Sequence, residues 1–92
     1  GLRGMRIKEG YVLREVAGSY VVVPAGERSK EFNGMVNLNE SGSVLWKRAG
    51  REFDRTALIS ELLDIYNVSE QQAAEDVDRF ISILKENEFV YE

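Results

Sequence analysis

The residues most often used for acid–base and nucleophilic chemistry are missing from this sequence of 92 residues, which contains no His and no Cys. Histidine is the usual proton shuttle near neutral pH, and cysteine is the usual thiol nucleophile and soft metal ligand. Their absence excludes a disulfide framework, a zinc finger, an iron–sulfur site and any triad that uses His or Cys. Acid–base chemistry would depend on carboxylates, Lys or Tyr, so the composition disfavours catalysis.

Two short motifs come closest to a chemical site, and neither completes one. Acidic residues at positions 75, 76 and 78 are the type that hard cations prefer, but neighbouring helix positions point in different directions and no ligand loop surrounds them. Ser41-Gly42-Ser43 lacks the Gly-x-Ser-x-Gly spacing of a nucleophile elbow. A dinucleotide fingerprint and a phosphate-binding loop are also absent. We therefore predict no catalytic residue, no metal and no cofactor.

The elements that would position a binding site begin with a predicted β-hairpin. Residues 11–16 and 19–23 are rich in β-branched and aromatic side chains and flank Ala17-Gly18. Because Ala disfavours a positive φ and Gly tolerates it, we predict a type I turn followed by a left-handed Gly18, rather than a two-residue primed turn. Pro24 has no N–H for a ladder and is expected to end the second strand or to lie at an edge.

A third strand is predicted over residues 35–38, after a polar stretch, residues 25–34, in which Asn33-Gly34 indicates a turn or a small hairpin. Alternation places Val36 and Leu38 on one face, and Met35 and Asn37 on the other. The strand contains neither Pro nor a charged residue. If it lies at the edge of the sheet, its free N–H and C=O groups can accept an extended peptide as an added strand; the alternative is that it lies inside the sheet.

Three helices are predicted in the second half of the chain. Asn39 is expected to cap a helix over residues 40–49, Asp54 to cap the second, and Ser69 with Gln72 to form a capping box for the third. Apolar residues with helical spacing are expected to face the core: Val44, Leu45, Trp46, Leu58, Ile59, Leu62, Leu63, Tyr66, Ala73, Val77, Phe80, Ile81 and Leu84. Residues 89–91 form either a short strand or an apolar clamp. The predicted fold is α+β and winged helix-turn-helix-like: a three-stranded N-terminal β-sheet followed by a three-helix bundle.

Charge is distributed unevenly along the chain. Residues 1–51 carry nine Lys and Arg against five Asp and Glu, whereas residues 52–92 carry three against eleven, which gives a net charge of −4. The third helix would be the recognition helix of a DNA-binding protein. Residues 69–88, however, carry two basic and six acidic side chains, and DNA phosphates would repel this net negative charge. The predicted fold makes a winged-helix DNA-binding transcriptional regulator the alternative function. The acidic third helix argues against it, so no nucleic acid partner is expected. The basic side chains of the first half either meet an acidic partner or are scattered surface charge: Arg14, Arg28, Lys30, Lys47, Arg48 and Arg51.

The chain is expected to fold as one cytoplasmic domain. Residues 1–4 precede Met5 and have the appearance of an expression-tag remnant, which leaves residues 5–92 as the domain. No apolar run approaches the ~20 residues of a membrane helix, so no membrane association is expected. Short edge strands and loops are compatible with a monomer or with a homodimer that exchanges a strand or helix.

Residues 32–46 together with Tyr66-Asn67-Val68-Ser69 resemble the PqqD-like family. The most specific part of the resemblance is Leu38-Asn39-Glu40-Ser41-Gly42 followed by Leu45-Trp46, and the similarity extends over about residues 6–91. Proteins of this family take part in the synthesis of pyrroloquinoline quinone (PQQ) and serve as the recognition element in pathways of ribosomally made, post-translationally modified peptides. The resemblance implies three strands followed by three helices, and a protein that is not itself an enzyme.

The resemblance also implies a binding mode. In the family, the leader segment of a precursor peptide adds as a strand to the third strand, against the third helix, and is presented to a radical S-adenosylmethionine maturase. By position, the peptide-binding strand is Met35, Val36, Asn37 and Leu38, and the facing helix covers about residues 70–87. Asp76, Arg79 and Ile83 lie on one flank of that helix, and Ala74 and Ile81 on the other. We take the first flank as the candidate site, although the sequence leaves open which flank faces the strand.

Overall fold

The computed structural model describes residues 4–26 and 35–91. The predicted turn at Asn33-Gly34 lies outside the described residues. Within them, the chain forms, in order, β1 (Arg6–Ile7), β2 (Tyr11–Val16), β3 (Ser19–Pro24), β4 (Val36–Leu38), α1 (Glu40–Arg48), α2 (Arg55–Ile65), α3 (Glu70–Glu86) and β5 (Val90–Tyr91).

The main sheet is antiparallel and has the order β2-β3-β4. In β4, Leu38 pairs with Tyr20 and Val36 pairs with Val22. This sheet and the three helices after it confirm the predicted α+β fold, and β4 lies at the end of the sheet. Of the two alternatives for residues 89–91, a short strand or an apolar clamp, the strand is present as β5 (Val90–Tyr91). Its antiparallel partner is β1, which the sequence did not reveal.

The hairpin turn differs from the prediction. Val16 pairs with Ser19, so the turn consists of Ala17 and Gly18 alone, with φ of 52° and 79°. Positive φ at both central residues is the mark of a type I′ turn, and the predicted type I turn was wrong. The twist of a type I′ turn matches that of the two strands, and this match outweighs the cost of about 1–2 kcal/mol for a left-handed Ala.

Replacing Ala17 with Asn should therefore stabilise the protein by about 1 kcal/mol, because Asn tolerates the left-handed conformation and Asn-Gly is the preferred type I′ sequence. The matched change Gly18→Ala should destabilise it. A Cβ at Gly18 would meet no atom within 4 Å, so that variant isolates the backbone strain. Urea unfolding measures both changes, and a loss of stability in Ala17→Asn would argue against the primed turn.

All three predicted N-cap residues are confirmed, but the capping box predicted for Ser69 with Gln72 is only half formed, because the Gln72 side chain contacts Asp76 rather than the Ser69 N–H. The side chains of Asn39, Asp54 and Ser69 accept hydrogen bonds from the third residue after each, at 2.7, 2.8 and 3.0 Å. The side chain of Gln72 donates to Asp76 at 3.1 Å. Helix α1 ends at Arg48, one residue earlier than predicted, with Ala49 as its C-cap.

The helices and the main sheet share one core. The predicted helix residues that it buries are Leu45, Trp46, Leu58, Leu62, Ala73, Val77, Phe80 and Leu84, and half-buried Val44, Ile59, Tyr66 and Ile81 pack against it. Leu63 is 39% exposed, so its predicted place in the core was wrong. It lies about 100° around the helix from Leu62, outside the narrow stripe that α2 buries. None of the described helices is long and apolar enough to cross a membrane.

Candidate functional site

A groove of about 210 Å³ separates β4 from α3. It forms because α1 begins two residues after β4, so the first turn of α1 lies between the end of the sheet and the third helix. The groove is lined by Asn37, Leu38, Asn39, Gly42, Asp76, Arg79, Phe80 and Ile83. The structure thus brings Asn37 and Leu38 together with one flank of α3, the flank of Asp76, Arg79 and Ile83.

Two predicted site residues do not line this groove. Met35 precedes the strand and is 63% exposed, so the predicted strand began one residue too early. Val36 is half-buried and pairs with Val22. On the opposite flank of α3, Ala74 and Ile81 are half-buried but absent from the groove lining.

Among the described residues, the edge of β4 on the side away from β3 has no partner strand. In the described part of the chain, β4 pairs only with β3, and its three residues carry no charge. The opposite edge of the sheet is β2, where Arg14 and Glu15 are exposed charged residues of the kind that discourages strand addition. The β4–α3 groove thus lies beside the uncharged edge of the sheet.

The groove has an apolar floor and a charged rim. Leu38 and Phe80 are buried beneath it, and Ile83 is half-buried at its side. Asp76 is held in place because one of its oxygens accepts a hydrogen bond from Gln72 and lies 4.0 Å from the Arg79 guanidinium. The Arg79 side chain is 65% exposed, and that of Asp76 is 20% exposed. This arrangement suits an extended peptide that places apolar side chains on the floor and polar groups at the rim.

Gly42 allows the groove to form, although no sequence pattern predicted it as a site residue. A Cβ at this buried position would lie 3.0 Å from the Asn39 side-chain oxygen and 3.2 Å from the Leu38 Cβ. Glycine therefore lets the first turn of α1 approach both the cap residue and β4. The sequence does show a glycine in the first turn after the Asn39 cap. That Gly42 lies close to α3 depends on the tertiary fold, which the local sequence does not reveal.

The groove continues into a second depression at the start of α1. The two share Asn39 and Asp76, and the continuation is lined by Glu40, Leu62, Tyr66 and Val68 among others. The Tyr66 hydroxyl donates to a Glu40 carboxylate oxygen at 2.9 Å. Burial, this hydrogen bond and the negative charge of Glu40 all raise the pKa of Tyr66 above its ordinary value of 10.0.

This pKa shift predicts how stability changes at alkaline pH. Because the folded state favours the protonated phenol, the stabilisation is complete below pH 10.0, the ordinary pKa, and disappears as the pH rises through the higher folded-state pKa. Tyr66→Phe should therefore lose less stability than the native protein over that range. Urea unfolding at a series of alkaline pH values compares the two, and parallel curves would contradict the shift.

Asp78, an acidic residue of α3 outside the groove, is paired with α2. Asp78 accepts two hydrogen bonds from the Arg55 guanidinium, at 2.7 and 3.2 Å, which ties α3 to α2. That guanidinium also holds the pKa of Asp78 below its usual range. In the described residues, no group of three or more Asp or Glu is placed to hold a metal ion.

Comparisons with known proteins identify the fold and the family of this chain. Two solved structures are similar: lasso peptide synthetase B1 complexed with the leader peptide (TM-score 0.71, 18% identity, 97% of this chain and 99% of that one) and TbiB1 in complex with the TbiA(beta) leader peptide (TM-score 0.68, 16% identity, 95% and 98%). A comparison with curated proteins gave no significant match. The family model described as coenzyme PQQ synthesis protein D matches residues 11–90, which confirms the resemblance seen in the sequence. This chain therefore belongs to the PqqD family.

Proposed function

We propose that this protein binds the leader segment of a ribosomally made precursor peptide and presents it to a modifying enzyme, without catalysing a reaction itself. The observation that carries the proposal is the edge of β4 beside the groove of α3: it is uncharged, and no strand of the described residues pairs with it. Membership of the PqqD family supports it. So does the similarity in fold to two proteins whose structures contain leader peptides.

The shortness of β4 determines how the leader gains affinity. Only three residues form the strand. In an antiparallel ladder, only every second residue directs its N–H and C=O groups toward a given neighbouring strand. The leader can therefore form only a few backbone hydrogen bonds there, each worth about 0.5–1.5 kcal/mol net. Apolar leader side chains must supply the rest by packing against Leu38 and Ile83. We expect them at alternate positions of the leader, because alternate side chains of a strand point to one face.

Delivery to a radical S-adenosylmethionine maturase is part of the same proposal, as is a role in PQQ synthesis or a related peptide pathway. Binding by main-chain pairing and groove contacts requires no reactive side chain, which is consistent with a sequence that lacks both His and Cys. No observation favours the DNA-binding alternative. Helix α3 would be the recognition helix, and it carries five acidic residues against Arg79 and Lys85.

A binding titration tests the proposal. The leader of a precursor encoded beside this gene is labelled with a fluorophore and titrated with the protein, and its anisotropy is followed. We expect the leader to bind saturably. A scrambled leader should not bind, nor should the remainder of the precursor, the segment that the enzyme modifies. Equal binding of the native and scrambled leaders would overturn the proposal, as would the absence of binding.

A further inference from the structure

A second pocket lies near the other end of α1 and differs from the groove in its charge. It encloses about 470 Å³, and three aromatic side chains, Tyr11, Trp46 and Tyr91, contribute to its wall. Arg6 and Arg51 line it as well. This pocket shares no lining residue with the β4–α3 groove: Gly42 at the start of α1 lines the groove, whereas Trp46 near its end and residues 49–51 after it line the pocket.

Two cations stand over one aromatic ring at this pocket. The Arg6 guanidinium lies 6.0 Å from the centre of the Tyr91 ring, and the Lys8 ammonium lies 5.7 Å from it. Cations at such distances are attracted by the ring face, so Tyr91, a lining residue of the pocket, holds both charges near it. The Tyr91 side chain is half exposed and accessible to a partner.

The positive charge extends beyond the pocket. A neighbouring depression shares Gly50 and Arg51 with it and adds Lys47 and Arg48. We call Arg6, Lys8, Lys47, Arg48 and Arg51 together the basic face. The carboxylates that line the same two depressions are Glu9 and Glu61. A local excess of positive charge thus occurs on a chain whose net charge is −4.

We propose that the basic face binds an acidic, extended segment of a partner protein. Arginine guanidinium groups suit carboxylates because they can donate two parallel hydrogen bonds, and Arg6 and Arg51 offer such groups on the same pocket. An apolar side chain of the segment enters the pocket between Trp46 and Tyr91. The positive charge of the basic face favours an acidic segment. The apolar side chain in the pocket would favour such a segment over a polyanion that has no apolar groups. The proposal does not depend on leader binding, since the two sites are separate.

Trp46 makes this proposal testable because it is the single tryptophan of the chain and lines this pocket but not the groove. The probe is a short synthetic peptide in which glutamates alternate with leucines, added to the full chain at low salt. We expect a saturable change in Trp46 fluorescence. Arg51→Glu should raise the Kd about tenfold or more, because it replaces an attraction by a repulsion.

Three controls separate this surface from general charge effects and from the groove. Arg14→Glu makes the same change in charge on exposed β2 and should leave the Kd unchanged. Ile83→Ser alters the groove and should also leave it unchanged. A peptide with lysines in place of the glutamates should not bind. The proposal is overturned if the acidic peptide gives no saturable change, if Arg14→Glu weakens binding as much as Arg51→Glu, or if the lysine peptide binds equally.

Discussion

Replacing Ile83 with Ser is expected to weaken leader binding about three- to sixfold. Full burial of an isoleucine side chain contributes about 1.5–3 kcal/mol, and each 1.4 kcal/mol corresponds to a factor of ten in Kd. Ile83 is half-buried in the free protein and lines the groove beside Leu38, so a bound leader would cover the area that remains accessible. Anisotropy titration of the labelled leader measures the change.

Ile81 provides a matched control for this prediction. It lies on the same helix, is also half-buried, and also packs against the core, but it is not part of the groove. Ile81→Ser should therefore cost a similar amount of stability while leaving the Kd of the leader nearly unchanged. Urea unfolding of both variants verifies that each is folded during the titration. If the two variants weaken leader binding equally, the groove is not the binding site.

Replacing Phe89 with Ala is expected to cause the largest loss of stability, about 3–5 kcal/mol. Phe89 is fully buried, and its ring centre lies 4.5 Å from that of Tyr11 and 5.8 Å from that of Trp46. Its backbone also connects separate elements, because its N–H donates to Leu84 and its C=O accepts from Lys8. The ring therefore joins the end of α3 to β2 and α1.

A loss of this size is a large part of the 5–15 kcal/mol that stabilises a typical domain. Tyr91→Ala is the control, since it removes an aromatic ring two residues away that is about half exposed, and it should cost far less. Urea unfolding gives both values from the shift in midpoint at unchanged slope. A cost for Phe89→Ala that does not exceed the cost for Tyr91→Ala would show that the contacts around Phe89 do not stabilise the fold.

Local sequence features predicted the helices well. Asn39, Asp54 and Ser69 each accept a hydrogen bond from a backbone N–H three residues later, an interaction that depends on the neighbouring sequence alone. The β1–β5 pairing was not predictable in the same way. Each of its strands has two residues, too few for an alternating pattern, and they come from opposite ends of the chain.

The candidate site was predictable in part. Residue pattern and resemblance together indicated the third strand and the third helix, but helical periodicity left two flanks of that helix equivalent. Packing of α1 against α3 decides between them, and it places Asp76, Arg79 and Ile83 beside β4. Gly42 and the Tyr66–Glu40 contact were missed for the same reason, because they depend on how distant segments pack.

Backbone amide exchange of the protein with and without the leader peptide tests strand addition most directly. An added strand forms hydrogen bonds with the outward-facing amides of β4 and slows their exchange with solvent. We expect new protection within Val36–Leu38 and shifts of the Asp76, Arg79 and Ile83 signals, while the amides of the opposite edge, Tyr11–Val16, remain as they were. Saturating leader that protects Tyr11–Val16 instead, or that leaves Val36–Leu38 unchanged, would contradict strand addition at β4.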